Sequence, residues 1–156
     1  MTPAAWTRDP SVVLEPVGEG NRRAVQELEL LPEQQDFVAS NADSLEEAEE
    51  DDEAIARAVV AAGHVVGFLM YSAPDDDDEA TIYRFMIDRR EQGKGLGRAA
   101  VAKVLEQIAR LGHIHRVAIC YEPNNEAARR LYAGFGFVEQ GFDEDDDMIA
   151  VLELSR

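Results

Sequence analysis

Apolar and polar residues follow two periodicities along this chain, and each predicts a different kind of element. Short, mainly apolar runs predict strands, whereas apolar residues spaced by three or four positions predict amphipathic helices. The predicted strands are Ser11–Val17, Ile55–Ala61, Val65–Tyr71, Thr81–Asp88, Arg116–Tyr121, Val138–Phe142 and Met148–Leu154. The predicted helices follow Asn21, Ser44, Gly97 and Asn125. This order indicates a single domain over residues 1–156, an α/β or α+β fold around one mixed sheet.

Two of these elements need a choice between competing signals. Alanines in Glu53–Ala62 favour a helix, but Gly63-His64 followed by an apolar run predicts a hairpin turn, so we assign a strand. Asn21 is a candidate N-cap, and the apolar spacing behind it predicts a helix that reaches Leu31 and stops at Pro32.

The longest helical pattern follows a strand and a glycine-rich turn without a gap. The strand Thr81–Asp88 leads into Gly93, Gly95 and Gly97. One face of the helix behind them carries Val101, Val104, Leu105, Ile108 and Leu111. A helix N-terminus offers N–H groups without intrahelical acceptors, and glycines let an anion approach the backbone. The stretch therefore favours phosphate binding, with a plain strand-to-helix turn as the alternative.

Composition limits the possible partners. Hydrophobic residues make up 46% of the chain, and no apolar run approaches the roughly 18 residues that a membrane-spanning helix needs. The first ten residues contain no signal-peptide pattern, so we expect a cytoplasmic protein. Cys120 is the only cysteine, which excludes an internal disulfide and a multi-cysteine metal site. No histidine has metal-ligand neighbours, and we expect no metal.

The net charge of −17, from 32 acidic and 15 basic residues, disfavours nucleic-acid binding. Two explanations for the acidity stay open: adaptation of a halophilic protein to concentrated salt, or attraction of a cationic ligand. Residues 84–103 are the exception, with six basic and two acidic side chains. A basic segment on an acidic chain supports an anionic ligand at the glycine turn, although scattered arginines at a helix start would look similar.

The turn matches neither of two common phosphate-binding motifs. It lacks the Gly-Lys-Ser/Thr of a Walker loop and the Gly-x-Gly-x-x-Gly of dinucleotide-binding folds. Gln92-x-x-Gly95-x-Gly97 after a strand resembles the acetyl-CoA pyrophosphate loop of the GCN5-related N-acetyltransferase (GNAT) superfamily. The segment Asn125–Phe137 is similar to that superfamily's Asn-x-x-Ala, Leu-Tyr and Gly-Phe signature. The resemblance covers about Ser11 to Glu153.

This resemblance implies a mostly antiparallel mixed sheet, splayed at its middle strands, with about four helices. It implies acetyl-CoA as cosubstrate, with the pantetheine arm on the strand backbone and the pyrophosphate on N–H groups of the turn. Lys94 and Arg98 would add positive charge. The cofactor-binding residues implied in this way are Met86, Ile87, Gln92, Gly93, Lys94, Gly95, Leu96, Gly97, Arg98 and Asn125.

The resemblance also implies a reaction, the direct attack of an amine on the thioester in a ternary complex. Tyr132 would donate a proton to the departing thiolate, with simple core packing as the alternative. The base stays open between a water-relayed proton and a carboxylate of the loop that contains Glu33 and Asp36. These two acids are our acceptor-binding candidates, and solvated loop acids are the alternative interpretation.

Shorter patches are similar to bacterial spermine/spermidine acetyltransferases, namely Gln35–Ala48, Tyr83–Asp88 and Cys120–Asn125. They make a polyamine the leading acceptor. Other amines, an aminoglycoside or a protein N-terminus stay open, as does an acyl-CoA-binding sensor or interaction module without turnover. The family's frequent dimerisation makes a homodimer possible by analogy only.

Overall fold

The computed structural model describes residues 12–29, 45 and 53–154, and these residues form seven strands, three α-helices and one 3-10 helix. The strands are β1 (Val13–Pro16), β2 (Ala54–Ala61), β3 (His64–Ser72), β4 (Glu79–Ile87), β5 (Arg116–Tyr121), β6 (Val138–Phe142) and β7 (Met148–Glu153). The helices are α1 (Arg22–Gln26), α2 (Leu96–Arg110) and α3 (Glu126–Phe135), with the 3-10 helix at Arg89–Glu91. Of the helix predicted after Ser44, only Leu45 lies within the described residues, and it is helical.

All seven strands belong to one sheet in the order β1-β2-β3-β4-β5-β7-β6. Neighbours run antiparallel except β4 and β5, which are parallel. Parallel neighbours require a long crossover connection, and α2 supplies it. The prediction of a mixed, mostly antiparallel sheet is confirmed.

The two central strands pair over only part of their length. Glu79–Ile82 pairs with Arg116–Ile119, and beyond these residues β4 and β5 separate. The ladder between β3 and β4 shifts register between Met70 and Tyr71, which makes Tyr83 an additional residue of β4. Such a β-bulge bends the strand that contains it. The bulge therefore turns the end of β4 away from β5, and the predicted splay of the middle strands is confirmed.

Apolar side chains cover both faces of the sheet. On one face α2 and α3 pack over the larger cluster, which includes Leu69, Ile82, Leu105, Ile108, Val117, Ile119 and Phe135. The other face carries a smaller cluster with Val25, Leu45, Ala58, Phe68, Met70 and Met86. Burial on both faces explains the nearly continuous apolar runs of β3 and β5.

Helix α1 is shorter than predicted, since it ends at Gln26 rather than continuing to Leu31. The backbone of Glu29 instead bonds to the segment after β4. Its N–H donates to Asp88 Oδ1 at 2.8 Å, and its carbonyl accepts from the Arg89 N–H at 2.6 Å. These long-range bonds replace the local helical ones.

The hairpin between β2 and β3 confirms the strand assignment but corrects the turn by one residue. The turn residues are Ala62 and Gly63, with φ of 50° and 81°, and His64 already pairs with Ala61. Two successive positive φ angles are typical of the type I′ turn, whose twist matches that of the flanking strands. Asn21 does lie at the N-cap of α1, but its side-chain oxygen accepts from the Gly18 N–H at 2.9 Å rather than from the helix.

Candidate active site

A cleft of about 890 Å³ opens where β4 and β5 separate. Its walls are the second half of β4, the end of β5, the glycine turn, α3 and the turn between β6 and β7. Strand separation leaves the backbone of both central strands facing this space rather than each other. The cleft therefore combines apolar walls with backbone donors and acceptors, as small-molecule sites commonly do.

The glycine turn is held against β4 by Gln92, whose side-chain amide donates to the Ile87 carbonyl at 2.9 Å. Gly95 is the N-cap of α2 and has a φ of 81°, a left-handed conformation that favours glycine. It has no side chain to cap the helix, so no N-cap side chain competes with an external acceptor for the first N–H groups of α2.

Gly97 lines the cleft in the first turn of α2. A Cβ at this position would have Ile87 Cγ1 at 3.7 Å and Phe85 Cζ at 3.9 Å as its nearest neighbours, both ordinary contacts. The protein's own packing therefore does not require glycine here. A ligand that approaches this backbone closely would require it, so the turn fits a phosphate-bearing ligand.

Seven of the sequence-predicted residues meet at the cleft: Met86, Ile87, Gln92, Gly93, Gly97, Asn125 and Tyr132. The other predicted cofactor-binding residues, Lys94, Gly95, Leu96 and Arg98, are not among the residues that line it. Leu96 is buried in the larger core cluster. The acceptor-binding candidates Glu33 and Asp36 lie outside the described residues.

The two predicted cationic contacts bind protein groups in this structure. Lys94 Nζ lies 3.0 Å from Glu91 Oε1 in an exposed ion pair, which costs little to exchange for another anion. The Arg98 guanidinium lies 5.2 Å from the centroid of the Phe135 ring, over α3. Their contribution to phosphate binding stays a prediction.

Asn125 begins α3 as its N-cap, because its side-chain oxygen accepts from the Ala128 N–H at 3.2 Å. Tyr132 lies two turns along the same helix and is buried, with 5% of its surface exposed. Its ring centroid is 5.7 Å from that of Tyr121 and 5.7 Å from that of Phe137. Burial, and then the neighbouring Tyr121, raises the pKa of the Tyr132 phenol well above its ordinary value. The hydroxyl therefore keeps its proton at neutral pH.

A polar cluster next to Tyr132 was not predicted from the sequence. The Tyr121 hydroxyl donates to Glu139 Oε2 at 2.7 Å, and Arg129 Nε donates to the same oxygen at 3.0 Å. Burial and the hydrogen bond to Glu139 raise the pKa of Tyr121 to about 12. The same hydrogen bond, followed by that from Arg129, lowers the pKa of Glu139. Only the pairing of β5, β7 and β6 brings these residues together, so no local pattern indicates them.

The acidic turn between β6 and β7 also faces the cleft, through Asp143, Asp145 and Asp147. Asp143 Oδ1 accepts the N–H groups of Asp145 at 2.9 Å and Asp147 at 3.0 Å, which fixes the turn. Burial and the surrounding aspartates raise the pKa of Asp147. The sequence indicated only a hairpin turn here. A prediction that β7 pairs antiparallel with β5 would have placed this turn at the cleft, because that pairing brings the turn to the open end of β5.

Cys120, the only cysteine of the chain, lies near the end of β5. It is exposed and lines the cleft, since it follows the last residue pair of β5 with β4. Burial of the thiol, then Asp143 and Asp147, raises its pKa. A thiol in this state is a poor nucleophile.

Asp88 links the segment that leads into the glycine turn to Glu29, which follows α1. It is a buried charged residue, 2% exposed, that caps the 3-10 helix and accepts from Arg90 Nε at 2.8 Å. Desolvation raises the pKa of Asp88, but the hydrogen bonds from Arg90 and from the Glu29 N–H outweigh it, and the net pKa is lowered. The carboxylate therefore stays ionised and holds the entry to the turn.

Within the described residues, no group of three or more His, Cys, Asp or Glu side chains could hold a metal ion. No helix in the part of the chain that the structure describes is long and apolar enough to cross a membrane.

Comparisons with known proteins agree with this geometry. The spermine/spermidine N(1)-acetyltransferase of Bacillus subtilis is 32% identical over 151 residues, which cover 92% of this chain and 99% of that protein. The coenzyme A complex of the PaiA N-acetyltransferase of Thermoplasma acidophilum has a TM-score of 0.72 at 13% identity, over 92% of this chain and 99% of that one. An aminoglycoside acetyltransferase, also solved with coenzyme A, has a TM-score of 0.76 at 19% identity, over 92% of this chain and 95% of that one.

These two structures are too distant in sequence to indicate more than a common fold. The family model of the acetyltransferase (GNAT) family matches residues 22–137, a range that contains the glycine turn, Asn125 and Tyr132. Together with the Bacillus relative, this match assigns the family: the chain belongs to the acetyltransferase (GNAT) family.

Proposed function

We propose that this protein transfers the acetyl group of acetyl-CoA to a primary amine, and that a polyamine of the spermidine or spermine type is its preferred acceptor. The observation that carries the proposal is the cleft between β4 and β5. It brings the glycine turn, the buried Tyr132 and the three aspartates of the turn between β6 and β7 into one space.

The residues that would hold acetyl-CoA fit its chemistry. Met86 and Ile87 line the cleft at the end of β4 that no longer pairs with β5, and this open strand edge suits the amides of the pantetheine arm, while the start of α2 suits the pyrophosphate. Gly97 supports this assignment because the protein's own packing leaves room for a Cβ there, whereas a ligand close to the backbone would not. Acetyl-CoA itself supplies an activated thioester.

Tyr132 would act as the acid at the sulfur. Its phenol is protonated at neutral pH, so it can donate a hydrogen bond that stabilises the developing thiolate. Because burial raises the pKa of Tyr132 and makes it a weak acid, it would pass its proton on only once negative charge has formed on the sulfur. Asn125 would contact the cofactor arm from the first turn of the same helix. Both residues are fixed by α3, whose cap and ring contacts hold them in place.

A polycationic acceptor fits the acidic turn. Asp143, Asp145 and Asp147 present negative charge to the cleft. Burial, and then repulsion from the neighbouring aspartates, raises the pKa of Asp147, and an ammonium group would relieve that repulsion. The Bacillus relative is named for spermine and spermidine, which supports the same acceptor class. One acidic turn next to an apolar cleft accounts for a preference for amines that carry a second positive charge.

The test is release of coenzyme A thiol in the presence of spermidine, spermine, single amino acids and an aminoglycoside, at several salt concentrations. We expect the polyamines to give the highest kcat/KM. Binding of acetyl-CoA without thiol release for any acceptor would contradict the enzyme and favour a binding module. Faster turnover of the amino acids or the aminoglycoside would contradict the polyamine.

Two variants of the acidic turn localise the acceptor. Asp145→Asn removes one charge that lines the cleft, and we expect it to raise the KM for spermidine several-fold. Asp146→Asn removes one charge from the same turn at a position that does not line the cleft. Its φ of 63° suits asparagine, so it is a matched control. Equal KM values for both variants would mean that the turn acts only through the overall charge.

A further inference from the structure

One oxygen atom of Glu139 connects three elements around Tyr132. Glu139 lies on β6, and its Oε2 accepts from the Tyr121 hydroxyl on β5 at 2.7 Å and from Arg129 Nε on α3 at 3.0 Å. Arg129 precedes Tyr132 by three residues, so the two lie on neighbouring turns of one helix. The carboxylate therefore holds both the strand and the helix that surround the Tyr132 ring.

Tyr121 carries this restraint to Tyr132 by direct ring contact. The two ring centroids are 5.7 Å apart at an interplanar angle of 31°, and Phe137 contacts the Tyr132 ring at 65°. Tyr121 and Tyr132 are both buried, with exposed fractions of 8% and 5%. The orientation of the Tyr132 ring is therefore set by its aromatic neighbours, and Tyr121 is in turn fixed by its hydroxyl.

The hydrogen bond between Tyr121 and Glu139 keeps the same donor and acceptor over a wide pH range. The phenol of Tyr121 keeps its proton until about pH 12, and the carboxylate of Glu139 is ionised because the pKa of the acid is lowered. Donor and acceptor roles are thus constant over the working range of an enzyme.

We infer that Tyr121 and Glu139 are positioning residues, which hold the Tyr132 hydroxyl where it can reach the sulfur of the cosubstrate. The inference rests on the proposed role of Tyr132 as the acid. Because the hydroxyl lies at the far end of a rigid ring, a small rotation displaces it substantially, and a misplacement of about 1 Å at a reacting centre costs about 100-fold in rate. Loosening the ring should reduce turnover before it reduces cofactor binding.

The test is a double-mutant cycle with Tyr121→Phe and Tyr132→Phe. Tyr121→Phe keeps the ring and removes only the hydroxyl, and we expect kcat to fall about tenfold at an unchanged KM for acetyl-CoA. In the Tyr132→Phe background the same change should have no further effect, since there is no hydroxyl left to position. Glu139→Gln keeps a neutral acceptor for the Tyr121 hydroxyl, so it should lower kcat less than Tyr121→Phe does.

Tyr71→Phe is the matched control. It removes another buried hydroxyl, which donates to Gln107 Oε1 at 3.3 Å away from the cleft, and it should leave kcat unchanged. Normal kcat in Tyr121→Phe, or an equal fold loss with and without the Tyr132 hydroxyl, would overturn the positioning role alone. Normal kcat in Tyr132→Phe would overturn the proposed acid, and the positioning role with it. A loss in Tyr71→Phe as large as in Tyr121→Phe would show a general effect of buried hydroxyls and overturn the inference as well.

Discussion

Gly97 allows stability and binding to be changed in opposite directions by one methyl group. It is the second residue of α2, where alanine is the better helix former by about 0.5–1 kcal/mol. The nearest heavy atoms to an added Cβ are 3.7 Å, 3.9 Å and 4.0 Å away, so the methyl group fits without strain. We therefore expect Gly97→Ala to raise the free energy of unfolding by up to about 1 kcal/mol and the melting temperature by up to about 4 °C.

The same methyl group should weaken binding of acetyl-CoA. It enters the cleft beside the N–H groups at the start of α2, and loss of one hydrogen bond to a charged group costs about 1.5–3 kcal/mol. Since 1.4 kcal/mol is a factor of ten, we expect the dissociation constant to rise at least about tenfold. Isothermal titration calorimetry with acetyl-CoA and thermal unfolding of the free protein measure the two effects.

Gly134→Ala provides the matched control for this experiment. Gly134 lies within α3, outside the cleft lining, and the nearest heavy atom to its added Cβ is Arg98 Nη1 at 3.9 Å. It should gain similar stability and keep the affinity of the wild type. If Gly97→Ala also binds acetyl-CoA with wild-type affinity, then glycine at this position has no relation to the ligand, and the assignment of the phosphate site is refuted.

Three further predictions concern the reaction, the acid stability and the charge. Tyr132→Phe should lower kcat about 100-fold or more while the dissociation constant of acetyl-CoA stays the same; thiol-release kinetics and calorimetry separate the two. The pKa of Asp88 is lowered by folding, so its contribution to stability is present above about pH 4 and is lost as the pH falls through the folded pKa. Between pH 7 and pH 3, the free energy of unfolding measured with denaturant should therefore fall less in Asp88→Asn than in the wild type. Identical pH profiles for the two proteins would contradict this assignment. With a net charge of −17, the melting temperature should rise as sodium chloride screens self-repulsion, and a salt-independent melting temperature would argue against salt adaptation.

Local signals were sufficient for most of the fold, and the resemblance to the GNAT superfamily indicated one half of the candidate site. Continuous apolar runs located the strands, and the helical spacing behind Gly97 located α2, because these patterns record burial directly. Asn125 and Tyr132 were singled out by the resemblance of Asn125–Phe137 to the GNAT signature, and both line the cleft. The end of α1 was missed since the hydrogen bonds between Glu29 and Asp88 compete with the helix and connect residues far apart in the chain.

The other half of the site depends on how the sheet is assembled. The bulge at Tyr83 is a property of the ladder between two strands, and the sequence of either strand alone does not predict it. Glu139 and Asp145 look like ordinary surface acids in the sequence. They reach Tyr121 and the cleft only because β7 pairs between β5 and β6, an order that differs from the order of the chain.

The short pairing between β4 and β5 has a mechanical consequence. Strands β1–β4 and β5–β7 are two antiparallel ribbons, and the backbone seam between them consists of four residue pairs. A molecule held in the opening beyond this seam, touching β4 on one side and β5 or α3 on the other, acts as a crosslink between the ribbons. Cosubstrate binding should then slow amide hydrogen exchange in both ribbons together, well beyond the residues it contacts.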